Sequence, residues 1–196
     1  MNFGEFIGNL TPFDLFAGFF IFGFFILGFF QGTIRRVLGL ASMLFSFLLA
    51  ANLRGPLGQF LADNWRQFPA EYSYMIGFLA VFVAATIAFT VTIQGFYKTQ
   101  PLFEKARFAD EVIGGLLGIL QSILFLAMVI VILDSFFQVP GIPVSTGELT
   151  FIRGLWELID PSQTAAIFRD AILPVFFAII GIFIPGEIER LVLDYR

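Results

Sequence analysis

Two aspartates, Asp14 and Asp134, are the side chains best suited to chemistry by type and position. Asp14 stands at the start of the first long apolar stretch, and Asp134 directly follows the fourth. Two carboxylates that meet at one membrane surface can act as a general acid and a general base. Each also has a structural explanation, because Thr11-Pro12-Phe13-Asp14 has the pattern of a helix capping box and Asp134 ends an apolar run. We therefore expect no catalytic residue and a protein that is not an enzyme.

The composition argues against most other chemistry. The chain of 196 residues is 58% hydrophobic and 13% charged, and it contains no Cys and no His. It offers no thiolate, no imidazole base and no ordinary zinc or haem ligand, so we expect no metal and no cofactor. A net charge of −4, with Arg35-Arg36 as the largest basic cluster, disfavours nucleic acid as a partner. Nine Phe within residues 13–30 leave contact with an apolar quinone or carotenoid open, although packing in lipid is the simpler explanation.

Four stretches are long and apolar enough to cross a membrane, which takes roughly 20 residues of helix. We predict spans at about 13–30, 37–53, 72–97 and 112–133. The expected fold is an all-α membrane protein with a four-helix transmembrane domain over residues 12–134. Residues 1–11 are expected to form an interfacial segment, and residues 135–196 an extracytoplasmic region of amphipathic helices. Within that region the short apolar run 171–185, which contains Pro174, is predicted to re-enter the membrane or lie on it.

The connections between the spans predict the topology. Residues 31–36 form a connection so short that it predicts an antiparallel helical hairpin of the first two spans. The second connection and its flanks hold only Arg54 and Arg66, whereas the basic residues concentrate in the first and third: Arg35, Arg36, Lys98, Lys105 and Arg107. Positively charged loops stay on the cytoplasmic side. We therefore expect both termini outside.

Small residues at helical spacing occur in two of the spans. Gly28 and Gly32 end the first span, and Gly114, Gly118 and Ser122 form a ladder in the fourth. Such residues let helix backbones approach closely in lipid. They predict packing inside the bundle or, alternatively, a docking face for a second copy or another membrane protein. Hydrogen bonds between neighbouring helices are the expected role of the polar residues inside the spans: Ser42, Ser46, Thr86, Thr90, Gln94 and Gln121.

Two longer motifs contain these glycines. Residues 28–36 read Gly-Phe-Phe-Gln-Gly-Thr-Ile-Arg-Arg, and residues 110–122 begin with Asp110, which is placed to cap the fourth span, and continue Glu-Val-Ile-Gly-Gly-Leu-Leu-Gly-Ile-Leu-Gln-Ser. Together with an aspartate before the first span, they resemble the motifs of the colicin V production protein (CvpA) family of small integral membrane proteins. Gln31 and Gln121 stand where members of that family usually have a basic residue. The positions that carry the resemblance are Asp14, Gln31, Arg35, Arg36, Asp110 and Gln121.

The resemblance implies a multi-pass protein of the bacterial inner membrane that acts in envelope homeostasis or in toxin production and export. We expect it to work through contacts with lipid, with other membrane proteins or with a second copy. An alternative is an accessory structural subunit of a larger membrane complex, such as a respiratory or photosynthetic electron-transfer complex. A channel or transporter is disfavoured, because the span interiors contain neither acids nor bases.

Overall fold

The computed structural model describes residues 10–65, 70–96, 107–137 and 150–183, and nearly all of them are helical. In chain order the elements are α1 (Pro12–Gln31), α2 (Thr33–Asn64), α3 (Ala70–Phe96), α4 (Arg107–Phe137), α5 (Thr150–Ile159), α6 (Gln163–Ile167), a π-helical turn (Phe168–Ile172), α7 (Leu173–Ile180) and a 3-10 turn (Gly181–Phe183). These ranges contain no strand, which confirms the all-α class. The predicted interfacial segment up to residue 9, the tail beyond 183 and three of the loop cations lie outside the described residues: Arg66, Lys98 and Lys105.

Five helical runs are long and apolar enough to cross a membrane, one more than the four predicted spans. The additional run is Gln163–Ile180, in which α6, the π-helical turn and α7 follow one another without a break. The sequence predicted only a short element at 171–185, because that apolar run is short for a span and contains Pro174. In the structure Arg169 is paired with a carboxylate, and Pro174 lies in the first turn of α7, where a proline is tolerated.

The long helices pack in an order that differs from their order in the chain. α1 packs along α4 and α2 packs along α3, whereas α1 and α2 contact each other little despite being joined by the single residue Gly32. The predicted short connection of the first two spans is present, but the two helices that it joins pack mainly on other helices. α4 also contacts α2, which places α4 at the centre of the bundle.

Glycines bring the backbones of α1 and α4 into direct contact. A methyl group added to Gly28 would collide with the carbonyl oxygen of Gly114, and one added to Gly114 would lie 2.5 Å from the carbonyl oxygen of Gly28. Gly118 meets the backbone of Phe24 in the same way. Lipid gives no hydrophobic drive for helix association, so close backbone packing of this kind carries much of it. These glycines are buried within the chain, so they are not available to a partner.

A second close crossing joins α2 to α3 and was not predicted. Gly58 lies against Tyr74, and Gly77 lies against the backbone of Gly58. The contact accounts for the length of α2, which continues to Asn64 although the predicted span ends at residue 53 and Pro56 lies inside the helix. Pro56 is a local signal for the end of a helix, but packing on α3 stabilises the later turns of α2.

Aromatic side chains fill the bundle and also cover its outside. The ring of Phe47 on α2 meets three others edge-on at centroid distances of 5.5, 6.5 and 5.6 Å, and these rings come from α3 and α7: Phe78, Phe82 and Phe176. The outer face of α1 instead exposes four of its rings: Phe16, Phe19, Phe22 and Phe30. Such a face fits the hydrocarbon of a bilayer, which solvates aromatic rings well.

The glycine crossing predicts a position-dependent effect of one methyl group. Gly28→Ala should lower the free energy of unfolding by about 1–3 kcal/mol, because the added carbon overpacks the contact with α4. Gly23→Ala on the same helix is the matched control, since nothing lies within 4 Å of a methyl group there. Thermal unfolding in detergent micelles checks this: the Tm should fall by several degrees for the first variant only. Equal Tm values for the two variants would contradict the crossing.

Candidate functional site

Asp14 holds together the starts of two helices. Its carboxylate accepts hydrogen bonds from the backbone N–H of Thr11 at 2.8 Å and of Thr164 at 2.7 Å. The side chain of Thr11 accepts in turn from the N–H of Asp14, which confirms the predicted capping box. Thr164 lies in the first turn of α6, so the second contact again places an acid at a helix N-terminus. Asp14 thereby ties the C-terminal helices to α1.

Asp134 is buried at the centre of an ion-pair cluster whose other charged members are partly exposed. The guanidinium of Arg169 donates to its carboxylate from Nε at 2.8 Å and from Nη2 at 2.7 Å. The same Nη2 lies 2.9 Å from a carboxylate oxygen of Asp160, and the indole N–H of Trp156 also donates to Asp134. Neither Arg169 nor Trp156 is among the functional residues predicted from the sequence. The available signal was an arginine inside the last apolar run, because a charge at such a position needs a partner.

Asp110 does not cap its own helix, and that prediction is wrong. α4 begins earlier, at Arg107, and Asp110 lies within its first turn. The carboxylate accepts from the N–H of Thr33 at 3.3 Å, and the hydroxyl of Thr33 donates to the backbone carbonyl of Asp110 at 3.1 Å. Asp110 therefore caps α2, which is preceded by Gly32 with a φ of +75° and no side chain of its own to cap with. The cap joins the α1–α2 link to α4.

The remaining motif positions, Gln31, Arg35, Arg36 and Gln121, line one cleft. Its volume is about 360 Å³, and α1, α2, α3 and α4 all contribute to its wall. Arg36 is 5% exposed, and its Nη1 donates to Oε1 of Gln121 at 2.7 Å. The guanidinium carbon of Arg36 also lies 5.4 Å from the ring centroid of Phe24, within the range of a cation–π contact. Hydroxyl groups complete the polar lining: Ser42, Thr86 and Thr90.

Ser42 and Ser46 bond to their own helix and not to a neighbouring one, so that part of the prediction is wrong. Ser42 and Ser46 each donate to the carbonyl four residues earlier in α2, at 2.8 and 2.7 Å. Ser122 donates to the carbonyl of Ile119 within α4. A serine hydroxyl in lipid can donate its hydrogen bond to a carbonyl of its own helix. The small side chain then leaves room for close packing of helices. Gln121 does make the expected bond between helices, to Arg36.

The two aspartates that could have formed an acid–base pair have separate partners. Asp14 accepts from backbone amides, whereas Asp134 accepts from a guanidinium and an indole. Carboxylate oxygens that already accept several hydrogen bonds are fixed in place and have little acceptor capacity left for a substrate. No group of three acidic side chains that could hold a metal ion is found within the described ranges.

The helices and their polar contacts define a multi-pass, all-α membrane protein in which side chains near the ends of the spans join helices that are distant in the chain. The sequence model of a family described as colicin V production protein matches residues 13–156, most of the chain and both glycine motifs. The chain therefore belongs to the colicin V production protein (CvpA) family. No curated protein and no solved structure matches it.

The buried ion pair predicts a large and non-additive effect on stability. Asp134→Asn should lower the free energy of unfolding by about 3–5 kcal/mol, because it leaves the Arg169 guanidinium without its main counter-charge. Adding Arg169→Gln to that variant should recover part of the loss. Unfolding in mixed detergent micelles measures both effects.

The matched control is the exposed ion pair between Arg107 and Glu111, whose side chains are 86% and 26% exposed. Glu111→Gln should cost less than about 1 kcal/mol, since water and salt screen such a pair. A loss for Asp134→Asn as small as that of this control would mean that the cluster does not hold the C-terminal helices.

Proposed function

We propose that this protein is a non-catalytic component of the bacterial inner membrane that supports colicin V production or export, or envelope homeostasis, through contacts with lipid and with other membrane proteins or a second copy. Membership of the colicin V production protein family supports the link to toxin production. Five membrane-length helical runs support the location within a membrane.

One observation supports the non-catalytic role most strongly: each aspartate that sequence patterns single out is engaged in holding helices together. Asp14 joins α1 to α6, Asp110 joins α4 to the start of α2, and Asp134 joins α4 to the π-helical turn. Each of these contacts is a helix cap or an ion pair, which are structural uses of a carboxylate.

Under this proposal, the outer surfaces of the helix bundle make the contacts with partners. The glycine ladders are buried inside the chain. The outer face of α1 carries exposed rings, among them Phe19 at 75% and Phe30 at 80% exposure. Flat aromatic side chains give a large contact area for lipid or for a helix of another protein.

A complementation assay tests the non-catalytic role. A strain that makes colicin V but lacks its own member of the family should regain toxin production, measured as inhibition of a sensitive lawn, when it expresses this chain. Asp14→Asn and Asp134→Asn should keep toxin production once it is normalised to the amount of folded protein in the membrane. Loss of a general acid or base would instead reduce it by about 10²–10⁴-fold.

Asp110→Asn is the matched control, because the chemical change is the same and the carboxylate accepts a single backbone N–H there. Toxin production that is lost with Asp14→Asn or Asp134→Asn in folded protein, and kept with Asp110→Asn, would overturn the non-catalytic role.

We also propose that both termini lie outside the cytoplasm, with the run Gln163–Ile180 re-entering the membrane or lying on it and not crossing it. The distribution of Lys and Arg supports this orientation. Since the chain has no cysteine, single thiols report position cleanly. Glu157→Cys on the exposed face of α5 should react with a membrane-impermeant maleimide added to intact spheroplasts. Arg107→Cys, at the start of α4 and 86% exposed, should react only after lysis. The reverse pattern would contradict this orientation.

A further inference from the structure

The cleft among the four long helices contains a buried cation for which the described residues supply no counter-charge. The Nε of Arg36 has no hydrogen-bond partner in the part of the chain that the structure describes, and the side chain is 5% exposed. Its contacts there are the amide oxygen of Gln121 and the ring of Phe24, and neither carries a negative charge. Arg35 adds a second positive charge to the lining. A guanidinium removed from water is costly to hold unless an anion or full hydrogen bonding compensates it.

The α3 wall of the cleft presents a second unsatisfied polar group. The hydroxyl oxygen of Thr86 is buried and has no hydrogen bond among the described residues. A threonine hydroxyl in a helix usually bonds to a carbonyl of the preceding turn. Thr92 on the same helix does so, because its hydroxyl donates to the carbonyl of Ala88 at 2.7 Å. Thr86 and Arg36 both line the cleft. Unused donors on two of its walls indicate an acceptor that the described residues do not supply.

The shape and position of the cleft favour an amphiphilic anion. None of the described residues that line the cleft is acidic, and the apolar part of the lining includes Leu27 and Phe125. α1 and α3 do not pack against each other here, and Leu27 is 49% exposed, so the cleft opens toward the lipid side of the bundle. Arg36 is the fourth residue of α2, which places it about 6 Å from the start of that helix. This is near the end of the spanning helices, where the headgroup region of a bilayer begins.

We propose that this cleft binds the phosphate headgroup of an anionic phospholipid. Arg36 and Arg35 supply the charge, Thr86 donates a hydrogen bond from the opposite wall, and an acyl chain leaves between α1 and α3 along Leu27 and Phe125. This lipid site is a specific case of the lipid contact in the proposed function. Only the biological role of the site rests on that proposed function. Binding is measured apart from toxin production, so failure of the one does not imply failure of the other.

Native mass spectrometry of the purified protein in detergent tests the site. Phosphatidylglycerol should bind in a saturable manner, and more tightly than phosphatidylcholine. Arg36→Gln should weaken the binding of phosphatidylglycerol about tenfold or more, and Thr86→Val should weaken it several-fold, because each removes a donor to a charged acceptor. Arg36→Gln also removes a buried unpaired charge, so this variant is expected to fold.

Arg107→Gln and Thr92→Val are the matched controls, since they make related changes outside the cleft and should leave the affinity for phosphatidylglycerol unchanged. The proposal is overturned if Arg36→Gln and Thr86→Val bind this lipid as tightly as the unaltered protein does. It is also overturned if inorganic phosphate displaces the lipid at equal concentration, because the ligand would then be a soluble anion.

Discussion

A polar group inside a bilayer has no water to bind, so the chain itself or a bound ligand must satisfy it. This constraint determines how the described helices are connected. Asp14 and Asp134 could each have faced a membrane surface alone, yet both carboxylates bind groups from the C-terminal helices. The need to satisfy polar groups therefore also holds the helices together. Donors of α6 and the π-helical turn that would otherwise be unsatisfied bind carboxylates of α1 and α4. Arg169 can lie inside an apolar run for the same reason.

Close backbone packing is the second constraint, and it explains the shape of the bundle. Gly28, Gly114 and Gly118 let α1 approach α4 to backbone contact, and Gly58 does the same for α2 and α3. Two tight pairs that meet mainly through α2 and α4 leave α1 and α3 apart. The cleft that contains Arg36 is therefore a consequence of where the glycines are. A bundle packed in chain order would have covered it with α1 against α2.

The sequence predicted features that depend on neighbouring residues and missed those that depend on distant ones. The start of α1 follows from Thr11, Pro12 and Asp14 within one turn, and the structure shows that cap. The same kind of reasoning placed Asp110 as a cap of α4, but the N–H that it satisfies belongs to Thr33, far away in the chain. Apolar length likewise predicted the main helices, whereas the fifth run depends on ion pairs of Arg169 that no local pattern displays.

Arg36 and Arg169, two of the arginines within the membrane-length helices, show how structural and functional charges differ. Arg169 forms ion pairs with Asp134 and Asp160, so carboxylates of the chain itself neutralise its charge. Its presence is explained by the stability of the fold. Arg36 is more deeply buried, at 5% exposure, yet among the described residues its partners are an amide and an aromatic ring. Folding alone gives no reason to keep such a charge, because a neutral side chain of similar size would avoid the desolvation cost. A buried cation that helix packing does not neutralise is therefore better explained by a ligand than by stability.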